Sequence, residues 1–79
     1  MKSKELKMTR EEKTKKLAKL LEYERLTKGM TQQEFSEFLG IPRSSLTTYL
    51  LGKRLPGARK IKTISKKLKL DIPKLLIKE

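Results

Sequence analysis

The chain has 79 residues, no cysteine and no histidine, and Lys+Arg 21 against Asp+Glu 9, a formal net charge of +12. One small domain fits that length, and disulfide staples and thiolate or imidazole metal sites are excluded, so a reducing cytoplasm is the expected setting. No apolar run approaches the ~18–20 residues a membrane span needs, and a field of this sign draws polyanions, nucleic acid before anionic membrane.

In chain order, residues 1–8 hold Lys2, Lys4 and Lys7 with little apolar content and read as a flexible basic arm. A single domain is expected over residues 9–79. Helix 1 begins near Thr9, because Thr9-x-x-Glu12 has the spacing of a capping box. Leu17, Leu20 and Leu21 then make an apolar stripe, lysines cover the other faces, and Gly29 is placed to end the helix in the left-handed conformation. Tyr23 and Leu26 fit that stripe less well.

Helix 2 starts at Thr31, followed three residues later by Glu34. Phe35 and Leu39 face inward, Ser36 is small enough for a close helix crossing, Gly40 ends the helix and Ile41 plugs the turn. Helix 3 runs from about Pro42 or Arg43 to Leu51, since proline is tolerated at a first helical position. Its buried side is Leu46, Tyr49 and Leu50, and Gly52 stops it. After the loop KRLPG, helix 4 covers about Ala58 to Lys69 with the stripe Ile61, Ile64 and Leu68. Asp71 caps a short helix 5, IPKLLIK, with Leu75 and Leu76 inward. No strand alternation appears. The expectation is all-α: five helices, with a helix-turn-helix over about residues 31–51.

Charge is unevenly spread along these elements. No acid lies between Phe38 and Leu70, whereas Arg43, Lys53, Arg54, Arg59, Lys60 and the lysines of helix 4 all do. Helix 3 sits in this basic block, and its outer face carries Arg43, Ser44 and Thr48, flanked by Thr47. Reading a major groove requires such donors and acceptors on the first turns of a helix, with arginine suited to guanine and Ser or Thr to several bases. The plain alternative is a solvated face, but Ser and Thr are weak helix formers and poor filler for one. Gln32, at the start of helix 2, is placed to join free amides there in holding a phosphate. Lys53 and Arg54, just past helix 3, are placed for the adjoining backbone, and the lysines of helix 4 are weaker candidates that act mainly through the long-range field.

Enzyme signatures are missing. Catalysis without His or Cys would need paired carboxylates or a lysine base, and the acids are scattered. Gly52-Lys53 is no P-loop, because no glycine stands five positions earlier and Arg54 occupies the Ser/Thr place. No cofactor site is expected. Leu75, Leu76 and Ile77 exceed what one short helix buries, which leaves either core packing or a homodimer contact.

The ordered set Gly29-Met30-Thr31-Gln32, Glu34-Phe35-Ser36, Leu39-Gly40-Ile41, Ser44-Ser45-Leu46 and Gly52-Lys53-Arg54 with Pro56 behind resembles the Cro/C1-type (XRE) helix-turn-helix family. Ile64, Leu68, Leu70, Asp71 and Leu75-Leu76 continue the match. The resemblance implies a five-helix, lambda-repressor-like DNA-binding fold. By position it implies that Arg43, Ser44 and Thr48 read bases, that Gln32 touches a phosphate, and that Ser45 and Lys53 meet phosphates. It also implies palindromic operators bound by dimers. Three departures stand out. Pro42 replaces a capping Ser or Thr, a loss of about 1 kcal/mol. Leu50 replaces a glutamate whose arginine partner corresponds to Arg25, so Arg25 is expected to be unpaired with helix 3 and free to reach a phosphate. Lys69 stands where glycine usually ends helix 4.

The expected function is therefore sequence-specific binding of double-stranded DNA by a transcriptional regulator, a repressor acting by operator occupancy. The alternatives are an antitoxin that autoregulates its operon and a protein–protein adaptor on the same fold. Too little chain follows helix 5 for a sensory domain, which suits a minimal repressor or a fragment of a longer protein.

Overall fold

The computed structural model describes residues 9–76, so the arm expected over residues 1–8 and Ile77 in the apolar C-terminal patch lie outside the described residues. Among the described residues there are five helices and no strand: α1 Arg10–Thr27, α2 Gln32–Leu39, α3 Arg43–Leu50, α4 Ala58–Leu68 and α5 Ile72–Leu75. The all-α expectation holds, with α2 and α3 forming the helix-turn-helix.

The helix starts divide into two kinds. At α1 the Thr9 hydroxyl accepts the Glu12 N–H at 3.1 Å and the Glu12 carboxylate accepts the Thr9 N–H at 2.9 Å. Thr31 and Glu34 repeat the pattern at α2 with the same two distances, 3.1 and 2.9 Å. Each threonine cap is worth about 1 kcal/mol relative to alanine. At α5 the Asp71 carboxylate accepts the Lys74 N–H at 3.3 Å. By contrast, α3 begins at Pro42 and α4 at Gly57, neither with a side-chain cap. Pro42 thus occupies the cap itself, one position before the first helical residue.

The first four helices end alike. After α1, Gly29 N–H donates to the Leu26 carbonyl and Met30 N–H to the Arg25 carbonyl, both at 3.1 Å. This paired closure requires a left-handed residue at its bend. Gly40 after α2 and Gly52 after α3 supply it with φ of 74° and 71°. After α4 the same two bonds form, Lys69 N–H to Lys66 and Leu70 N–H to Ser65, but the bend residue is Lys69 at φ 58°. The missing glycine has therefore not reshaped the turn. The lysine takes the glycine conformation, at a cost on the order of 1 kcal/mol.

One core joins the helices. Leu17 and Leu21 of α1, Phe35 and Leu39 of α2, Leu46 of α3, Ile64 of α4 and Ile72 of α5 are fully buried, and Tyr49, Leu68 and Leu76 nearly so. Leu20, Leu50 and Ile61 pack half-buried at its margin. Helix α3 lies on α1 and α2, while α4 lies on α2 and α5. A Cβ on Gly52 would sit 3.9 Å from the Ala18 Cβ, which shows how closely the end of α3 approaches α1. Tyr23 and Leu26, which fitted the stripe poorly, are exposed.

At the C-terminal end the expected inward pair is half right. Leu76 is buried, but Leu75 is 38% exposed, and the second core residue is Ile72. Ile72 and Leu76 are four apart, one above the other on a helical face, and burying a side chain of that size stabilises by roughly 1.5–3 kcal/mol.

Candidate nucleic-acid interface

The turn after α2 and the plug of Ile41 fix the start of α3, and burial of Leu46 and Tyr49 fixes its rotation. With those two side chains inward, Arg43 and Ser44 are exposed, and Ser45, Thr47 and Thr48 are half-buried on the flanks. Beside this face runs an open polar groove of about 620 Å³, lined from α3 by Ser44, Ser45 and Thr48 and from the following loop by Arg54. Arg59 and Lys60, on the first turn of α4, form its other wall. Arg43 and Thr47 stand on α3 outside the groove lining, Lys53 is exposed in the turn that follows, and Gln32 is half-buried as the first residue of α2.

The two helices that open onto the groove are the two without side-chain caps. The first-turn amides of α3, at Arg43, Ser44 and Ser45, and of α4, at Ala58, Arg59 and Lys60, accordingly have no hydrogen-bond partner within the described chain. Free amides and the positive ends of two helix dipoles add to the charge of Arg54, Arg59 and Lys60. The Thr48 hydroxyl donates to the Ser44 carbonyl at 3.0 Å. Its proton is committed there, so toward a ligand Thr48 offers lone pairs and a methyl group. The groove as a whole suits an anion, with donors on its walls and one acceptor on the α3 side.

Arg25 departs from expectation. It has no partner on α3, as anticipated, but it is not free: Nε and Nη2 donate to the two Glu22 carboxylate oxygens at 3.1 and 2.6 Å, and Nη1 donates to the Met30 carbonyl at 2.9 Å. Its side chain is only 17% exposed. With leucine at position 50, the carboxylate it meets is that of Glu22, one turn away on its own helix. The bidentate bond holds the Glu22 carboxyl below the usual range and raises the Arg25 guanidinium. Arg25 thus braces the turn that leads into α2.

Arg59 and Lys60 line the groove, where the sequence marks only the lysines of helix 4, as weaker candidates. The signal was their position directly after the uncapped Gly57. Lys62 and Lys66 line a different groove on the other side of α4.

An all-α fold with a helix-turn-helix whose second helix presents polar side chains beside a basic groove defines the class of helix-turn-helix DNA-binding proteins. A helix-turn-helix family model (HTH_3) matches residues 21–75, which spans α2 to α5 and the last seven residues of α1. The chain belongs to this Cro/C1-type (XRE) helix-turn-helix family and is in general terms a DNA-binding regulator of transcription. No curated protein and no solved structure matches it. No helix among the described residues is long and apolar enough to cross a membrane.

Proposed function

We propose that the chain is a sequence-specific binder of double-stranded DNA that represses transcription by occupying an operator. The observation that carries this reading is the convergence of Ser44, Ser45, Thr48, Arg54, Arg59 and Lys60 at the uncapped starts of α3 and α4. With α3 in the major groove, Arg43, Ser44, Thr47 and Thr48 read base edges, and Thr48 does so as an acceptor or through its methyl group. Gln32, Ser45, Lys53 and Arg54 hold phosphates, joined by Arg59 and Lys60. Arg25 serves the site indirectly, by bracing the start of α2. No catalytic role enters this reading, and its place of action is the cytoplasm, on the nucleoid.

Two copies bind the half-sites of a palindromic operator. The homodimer contact at α5 rests on Leu75, because Leu76 is committed to its own core and Ile77 lies outside the described residues. Affinity comes chiefly from phosphates and falls by ~0.9 log unit per log unit of salt for each phosphate neutralised. Selection of bound duplexes from a random pool at ~150 mM salt, where non-specific binding is weak, tests the reading. A recovered palindrome supports both specificity and dimer symmetry. No enrichment refutes the operator reading and favours an adaptor role.

A further inference from the structure

On the side of α4 away from the polar groove lies a second, larger groove of about 1000 Å³. Its floor is apolar, built from Leu55, Pro56, Ile61, Leu70, Pro73 and Leu76. Its α4 wall presents Ala58, Ile61, Lys62, Ser65 and Lys66, one helical face about 15 Å long at 1.5 Å per residue, with Lys69 at the bend that follows. Lys62, Lys66 and Lys69 are exposed along this wall, and Lys13 of α1, half-buried, stands on the lining as well.

None of these lysines makes an ion pair among the described residues, where the two salt bridges are Arg25–Glu22 and Lys28–Glu24. Among the described residues the one acid in the lining is Asp71, and its carboxylate is engaged by the Lys74 N–H. The groove therefore couples an apolar floor, long enough for about three turns of helix, with an uncompensated cationic rim. Duplex DNA would waste the floor. A second copy of this chain, net +12, would set the same lysine rim against its own. Leu75, the residue offered for the homodimer contact, is not part of this lining.

We propose that this groove docks an amphipathic helix of a partner protein, one whose apolar stripe is flanked by Glu and Asp. The stripe fills the floor between α4 and α5, and the flanking carboxylates meet Lys62, Lys66 and Lys69 on one side and Lys13 on the other. The inference stands apart from the DNA reading, because the two grooves lie on opposite sides of α4 and, among the described residues, share only Leu55.

The test titrates the full chain, followed by amide NMR, with a synthetic 16-residue helical peptide bearing leucines at i, i+3, i+4 and i+7 and glutamates on the flanking positions. The expected result is shifts confined to Ile61, Ser65, Leu70 and Leu76, with binding that weakens as salt rises. The combined variant K62Q and K66Q, both at exposed positions, should weaken the peptide by about threefold per lysine, about tenfold together, at low salt, with an unchanged dispersed spectrum. Several outcomes would overturn the proposal. One is a peptide that shifts nothing, or that acts only at Ser44, Thr48 and Lys60 as a generic polyanion. Others are equal binding by a version with lysine in place of glutamate, and binding of dodecanoate alone at these residues while the peptide does not bind. Self-association of the chain that protects Ile61 and Leu70 without peptide would assign the groove to a second copy.

Discussion

Replacing Lys69 by glycine should stabilise the protein. Four helices, α1 to α4, close with the same pair of backbone bonds, and Lys69 is the one bend residue among them that is not glycine. A side chain held at φ 58° carries a steric cost of about 1–2 kcal/mol, which glycine relieves. Glycine also enlarges the unfolded ensemble, which returns about 0.4–1 kcal/mol. The net gain is about 0.5–1 kcal/mol. The mirror experiment is Gly40→Ala, because a Cβ there meets nothing within 4 Å and the penalty is purely conformational at φ 74°. It should destabilise by about the same amount. With a urea m-value of about 1 kcal/mol/M, each variant moves the unfolding midpoint by about 0.5–1 M, in opposite directions and with m unchanged. A Lys69→Gly protein less stable than the parent, or a neutral Gly40→Ala, would refute the assignment of strain to Lys69.

The other predictions concern the caps, the site and acid. Thr31→Ala removes the hydroxyl half of the α2 capping box, the bond from the Glu34 N–H, and should cost about 1 kcal/mol in urea unfolding. Arg43→Ala should cost ~1–3 kcal/mol at one base pair and leave random-duplex affinity nearly unchanged; a uniform loss on all DNA would remove Arg43 from the readers. The double variant R59Q and K60Q should weaken specific and random duplexes alike and reduce the slope of log K against log salt by ~0.9 per lost phosphate contact. Because the Glu22 carboxyl is lowered in the folded state from its ordinary value near 4.5, its contribution is full above that value and is lost as pH falls through the lowered one. The stability difference between the parent and Glu22→Gln should therefore shrink between pH 6 and pH 3. The effect is small because Glu22 is 41% exposed.

What could be read in the sequence was local. The two Thr-x-x-Glu starts, the glycine stops and the 3.6-residue stripes each depend on side chains within one or two turns, and the structure has them where the spacing put them except in α5, where Ile72 and not Leu75 is buried. Polar exposure on α3 followed from the same periodicity once Leu46 and Tyr49 were taken as buried. What escaped depends on how helices sit against one another. Which cations of α4 face α3 is set by the packing of α4 on α2 and α5, so Arg59 and Lys60 could not be told from Lys62 and Lys66 by charge alone. Arg25 was misjudged for a different reason. Its fate was inferred from the partner absent at position 50, while Glu22, three residues away on the same helix, was in reach throughout. At Lys69 the sequence marked an anomaly, and only the backbone shows that the turn kept its geometry.

The most direct test of the interface is an amide NMR titration of the full chain with a duplex recovered by selection, at ~150 mM salt. If α3 and the start of α4 form the DNA-binding surface, Arg43, Ser44, Ser45, Thr48, Arg54, Arg59 and Lys60 shift together and saturably, while Lys62, Lys66, Tyr23 and Leu26 remain still. Shifts centred on the α4–α5 groove or on the exposed face of α1, with the residues of α3 unmoved, would contradict it.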